Sequence, residues 1–211
     1  MAVNATNNGG TPRELIESGN YPARCISVIH IGTIEDTWKG QPKMMNKVRI
    51  VWEIPHLTKV FDPAKGPQPM SISMDYTLST GEKSNLRKML ESWRGKDFTP
   101  AEIEKFDVLS VVGAPCFINI IHKMSSAGNE YETITAVTRV PQGTKIPPMI
   151  NPKLLFDFEE NFSAAKLEAF PDFLKEKIKK SKEYKQLMDP SNVEAGSKSF
   201  IEDNPDDDLP F

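Results

Sequence analysis

Aromatic and cationic side chains recur together along this chain of 211 residues. Flat rings stack on unpaired bases while ammonium and guanidinium groups meet phosphate, so this mixture suits binding a single nucleic-acid strand. Trp38 sits beside Lys39 and close to Lys43; Lys47 and Arg49 alternate along KVRIVWEI; Tyr76 lies in MSISMDYTL; Lys123 and Tyr131 flank SSAGNE. Each has a plainer reading. Trp38 could fold back over the body, Lys47 and Arg49 could be ordinary edge charges, and Tyr76 shares parity with Ile72, Met74 and Leu78, which assigns it equally to a core. Catalytic chemistry finds less support. His30, His56 and His122 are scattered, and no HExxH pair, paired cysteine ligands, GxxxxGK[ST] loop or nucleophile elbow is present. No enzyme activity, metal or cofactor is therefore expected. Cys25 and Cys116 are too few and too far apart for a zinc site or disulfide framework, and read as reduced core thiols.

A second stretch with chemistry of its own ends the chain: Asp206, Asp207, Asp208, Leu209, Pro210, Phe211. Three carboxylates suit a basic rim, Phe211 an apolar pocket, and Pro210 limits the entropy lost on docking. A solvated acidic tail without a partner is the plainer alternative. The ending resembles the C-terminal tip of single-stranded DNA-binding proteins of bacteria and their phages, where it recruits replication and repair partners. Charge is divided to match. Residues 194–211 carry six carboxylates against one lysine, so the remainder has a net charge of +2 where the whole has −3. No run approaches the roughly 20 apolar residues of a membrane span, and MAVNATNNGG lacks the basic and apolar regions of a signal peptide. A cytosolic protein is expected.

The elements that must position these residues follow from periodicity. Residues 21–31 form an apolar, β-branched run closed by Gly32, and 33–46 read as a loop by their Gly, Pro and Asp content. Residues 47–54 alternate, with Val48, Ile50, Trp52 and Ile54 opposed to Lys47, Arg49, Val51 and Glu53; Pro55 closes them, and a Pro-rich loop leads to a third strand over 70–78. The period then changes. Leu86, Met89, Leu90 and Trp93 lie at i, i+3, i+4 and i+7, one helical stripe within 82–94, which Ser79 or Thr80 would cap and Gly95 stop. Thr99, Pro100 and Glu102 make a capping box for a second short helix. Two strands over 108–123 and 131–140, joined through SSAGNE, complete the set.

Strand, strand, strand, helix, strand, strand is the order of a five-stranded OB-fold barrel with a helix between strands 3 and 4, a mainly β, α+β class. Residues 21–140, with KVRIVWEIP, KSNLRKMLESWRGKDFT and VVGAPCFINI, look like phage-encoded OB-fold single-stranded DNA-binding proteins. They lack the N-terminal strand pattern of the bacterial housekeeping form, so its tetramer is not implied and homo-oligomerisation stays open. The expected organisation is a flexible arm over 1–20, the binding domain over 21–140, a linker and helical extension over 141–188 broken by Pro171, and a disordered acidic tail over 189–211. Phe173, Leu174, Ile178 and Tyr184 could share one side of that extension, as a helical pair packed on the barrel or as a free partner-binding arm. The function implied is binding of single-stranded DNA without strong sequence preference during replication, recombination or repair, with replication and recombination proteins as partners of the tip and no membrane. Two rivals remain: a strand-annealing recombination mediator, and an adaptor whose groove takes a protein.

Overall fold

The fold is built on a long strand whose middle is buried on both faces. In the computed structural model, which describes residues 14–189, β1 (Gly19–Trp38) pairs antiparallel with β2 (Gln41–Asp62) over most of its length and with β4 (Pro115–Met124) over residues 19–24. β2 continues into β3 (Gly66–Thr77), and β4 into β5 (Glu130–Thr138). The strand order is β3-β2-β1-β4-β5, a curled antiparallel sheet whose two edge strands are β3 and β5. Helix α1 (Asn85–Arg94) contacts both edges. Its stripe of Leu86, Met89, Leu90 and Trp93 is buried, Ser84 caps its start, and Gly95 ends it in the left-handed conformation (φ 71°). The cap is therefore Ser84 rather than Ser79 or Thr80: its hydroxyl accepts from the Arg87 N–H and donates to the Ser79 carbonyl. In α2 (Pro100–Glu104), Thr99 and Glu102 close a capping box with Pro100 in the first turn. A 3-10 turn (Val108–Val111) precedes β4, where the sequence suggested strand from Val108 onward with a bend at Gly113-Ala114-Pro115.

Two expected strand ends are not ends. Gly32 (φ 90°) and Pro55 each fall where the register shifts, between His30 and Gly32 and between Ile54 and Thr58. A bulge accepts a left-handed glycine or a proline without ending the strand, because the ladder is already interrupted there. The segments expected as loops are therefore hairpin arms. Lys39 and Gly40, both at positive φ (52° and 79°), make the two-residue turn between β1 and β2, the geometry that matches strand twist. Residues 63–65 turn β2 into β3.

The bulge between Cys25 and Ser27 also decides which side chains face inward. Before it Ala23 and Cys25 point into the main core; after it Val28 does, and Ser27, Ile29 and Ile31 face out. Trp52 and Trp93 pack at the centre of that core with ring centroids 6.1 Å apart. Burial pushes the Cys25 thiol up to about 12, leaving it protonated at neutral pH. The arm is shorter than expected: Ile16 is already in the core, and its N–H donates to Glu132 Oε2 at 2.8 Å.

The extension packs on the outer side of β1. β6 (Leu154–Phe156) adds parallel to Ser27–Ile29, followed by α3 (Ala164–Glu168), α4 (Asp172–Lys180) and α5 (Lys182–Leu187). Phe156, Leu167, Phe170, Leu174 and Ile178 bury against Ile29 and Ile31 as a second cluster. The helical run breaks at Ser181 as well as at Pro171, because the Ser181 hydroxyl caps α5 by accepting from the Tyr184 N–H. Gly32 permits this approach, since a Cβ there would sit 2.7 Å from Ser181 Cβ. The segment before β6 is tied down. Arg24 donates to the carbonyls of Pro147 (2.6 Å) and Ile146 (3.1 Å), and Glu53 accepts from the N–H groups of Ile150 and Asn151 at 2.7 and 2.9 Å. Among the described residues no helix is long and apolar enough to cross a membrane.

Candidate nucleic-acid interface

Side chains directly opposite one another on antiparallel strands share a face, and the register lines up two rows across the outer side of the sheet. Ile29, Arg49 and Asp75 form one; Ser27, Val51 and Ser73 form the next. Over the first row lies α4. Arg49 donates to both carboxylate oxygens of Asp75 (2.5 and 3.1 Å), Lys177 of α4 reaches the same carboxylate at 3.1 Å, and the Phe173 ring lies 5.0 Å from the guanidinium carbon. Burial pushes the Asp75 carboxyl up, but hydrogen bonds and charge from Arg49 and Lys177 outweigh it and hold it below its ordinary value.

The second row has only small side chains, so a groove of about 580 Å³ opens above it. Besides the buried Phe170, three exposed aromatic rings from three separate elements line this groove: Phe61 near the tip of the β2–β3 hairpin, Tyr131 at the start of β5 and Phe173 on α4. They are 61%, 44% and 54% exposed. In the floor, Ser27 is 4% exposed, and its hydroxyl has no hydrogen-bond partner among the described residues. Exposed rings to stack on equip the groove for a flat ligand.

The residues singled out from sequence are distributed unevenly around it. Tyr131 lines the groove, and Lys123, its cross-strand partner, is exposed on the same face with no ion pair among the described residues. Arg49 lies in the groove wall, yet its side chain is 14% exposed and neutralised by Asp75. Lys47 is held by Asp36 at 2.6 Å. Tyr76 is 6% exposed inside the main core, with its hydroxyl pKa raised by burial, so it offers no ring to a ligand; parity with Ile72 decides the matter. Trp38 ends β1 at the β1–β2 hairpin, and Lys39 and Lys43 of the same hairpin do not line the groove. Asp206, Asp207, Asp208, Leu209, Pro210 and Phe211 lie outside the described residues.

Two groove residues escaped the sequence reading. Phe61 sits in a stretch whose prolines and polar residues resemble a loop, although Val60-Phe61 just before Asp62-Pro63 is a hairpin-arm pattern. Phe173 was grouped with Leu174 and Ile178, but those two are the i, i+4 pair that buries; Phe173 belongs with Lys177 on the neighbouring stripe. Among the described residues no cluster of His, Cys, Asp or Glu is arranged to hold a metal. No protein-family model matches the chain, and no curated protein or solved structure matches it either.

Proposed function

We propose that the chain binds single-stranded DNA without strong sequence preference, using the groove on the outer face of β1, β2 and β3. The sheet is read as an OB-fold: β1 is shared between the three-stranded meander and the β4–β5 hairpin, β3 and β5 come to the two edges, and α1 lies across the seam between them. Such barrels commonly bind single strands across strands 2 and 3. The observation that carries the reading is the convergence of the exposed rings of Phe61, Tyr131 and Phe173 on one groove. Base stacking on an aromatic ring contributes roughly 1–3 kcal/mol per base and tolerates any sequence, because every base has a π-face. Lys123 beside Tyr131 supplies a cation for the backbone at that end. The acidic tip, Asp206 to Phe211, then recruits replication, recombination or repair proteins to the coated strand.

A gel-shift with an oligothymidine of about 30 nucleotides against duplex of equal length tests this. Binding of the single strand alone is expected, and equal or absent binding of both overturns the proposal. A second reading draws on the ion pairs: with Arg49 and Lys177 both on Asp75, the groove presents rings more than charge, which also suits an apolar peptide. An adaptor of that kind would bind neither oligonucleotide.

A further inference from the structure

Lysines dominate the end of the extension, and the structure sorts them into two sets. Lys175 pairs with Glu168 and Asp172, Lys177 with Asp75, and Lys179 with Glu168. Lys180, Lys182 and Lys185 are exposed and have no ion-pair partner among the described residues. These three converge with Met44 of β2, Gln186 and Asp189 on a cleft of about 320 Å³, beside the β1–β2 hairpin that carries Lys43, so its lining holds three ammoniums against one carboxylate. Met44 is 54% exposed and gives the cleft an apolar side.

We propose that this cleft is a second anion site, which takes the phosphate backbone of the strand whose bases occupy the groove, so that the C-terminal extension lengthens the footprint. The inference rests on the single-strand reading above. Three observations carry it. Three ammoniums without an ion-pair partner among the described residues gather here, whereas Arg49 and Lys177 near the groove are already neutralised. The two sites lie at opposite ends of one helix: Phe173 and Leu174 of α4 line the groove and Lys180 lines the cleft, a helical rise on the order of 10 Å, well within the span of the roughly 4–16 nucleotides that one OB-fold engages. Among the described residues no guanidinium lines the cleft. Arginine's planar fork suits directional capture of a carboxylate, whereas lysine acts as a point charge, the property needed to follow phosphates that shift as a strand slides.

The test compares the full chain with the triple variant Lys180→Gln, Lys182→Gln, Lys185→Gln, measuring affinity across a salt series for oligothymidines of about 2 nucleotides, too short to reach both sites, and of about 30 nucleotides. All three side chains are exposed, so the variant is expected to keep the wild-type unfolding midpoint. The longer oligonucleotide should lose about 2 units of log–log salt slope, three phosphates at about 0.7 each, while binding of the shorter one stays unchanged. An unchanged slope for the longer strand, with the shorter one still bound, overturns the second site and leaves the groove standing. Loss of both oligonucleotides equally in the variant overturns it too, because the lysines would then act on the groove itself. Wild-type binding of neither oligonucleotide removes the single-strand reading and this inference with it. A labelled Asp-Asp-Asp-Leu-Pro-Phe peptide supplies the remaining arm: if the variant loses the peptide but keeps the long-strand slope, the cleft serves acidic peptides and the proposal is wrong.

Discussion

Two apolar clusters share β1 between them, and they are held in different ways. The inner one draws on all five strands of the curled sheet and on α1, so each side chain is fixed by neighbours distant in the chain. The outer one is Ile29 and Ile31 of β1 covered by residues of the extension alone. It is fastened at its margins by carboxylates: Glu53 to the Ile150 and Asn151 amides, Glu183 to the Thr33 amide and hydroxyl at 2.6 Å each, and Asp75 to Lys177. A layer with fewer cross-links opens at lower free energy than the sheet it covers. The groove lies where the two meet, which makes α4 both a cover for the sheet and a wall of the candidate site.

Substitutions that empty one cluster at a time test this difference most severely. Trp52→Ala should cost about 3–5 kcal/mol and unfold the whole molecule in one transition by urea denaturation. Phe156→Ala removes a fully buried ring that meets Phe158, Phe162 and Phe170 at centroid distances of 5.9, 5.8 and 5.2 Å. It should cost a similar ~3–5 kcal/mol locally, with limited proteolysis cutting first in 154–189 while amide exchange in β2 and β4 stays slow. A single concerted transition for both variants would show that the layers are one unit.

Next in size is Glu53→Ala, which leaves two backbone N–H groups without their acceptor, at about 1–3 kcal/mol each. Hydrogen exchange at Ile150 and Asn151 should accelerate, and unaltered protection there would show that other contacts hold the segment. Phe173→Ala should lower oligothymidine affinity by roughly 1–3 kcal/mol while leaving the unfolding midpoint nearly unchanged, because the ring is half exposed. A loss of stability without loss of affinity would reassign Phe173 to packing.

The smallest effect concerns pH. Asp75 has a lowered folded-state pKa, so the stability it contributes is complete above its ordinary value of 3.8 and is lost as pH falls through the lowered one. The gap in urea midpoint between the wild type and Asp75→Asn should therefore be widest near neutrality and close in acid. A gap that widens in acid contradicts the Arg49–Asp75–Lys177 latch.

Local rules were legible where one period ran unbroken. The alternation in β2 placed Val48, Ile50, Trp52 and Ile54 inward, the 3.6-residue stripe set the buried face of α1, and Thr99 with Glu102 marked the start of α2. These depend on side-chain direction and backbone hydrogen bonds within a few residues, so a linear chain records them. β1 was harder because its middle is buried on both sides. Its run CISVIHI does not alternate, and the bulge that turns Ser27 toward the groove exists only because β2 and β4 fix the register around it. Gly32 and Pro55 looked like strand ends because punctuation rules assume a regular ladder.

The groove belongs to the tertiary structure alone. Phe61, Tyr131 and Phe173 are separated in sequence and follow no shared spacing; they meet because the sheet curls and a helix more than 100 residues away lies across it. The same packing withdrew Arg49 and Lys47 into ion pairs and left Lys180, Lys182 and Lys185 without partners among the described residues. Residue types and their order determined which side chains could stack or carry charge. Which of them face a ligand was decided by pairing and burial, because a charge is neutralised or exposed by neighbours that only folding supplies.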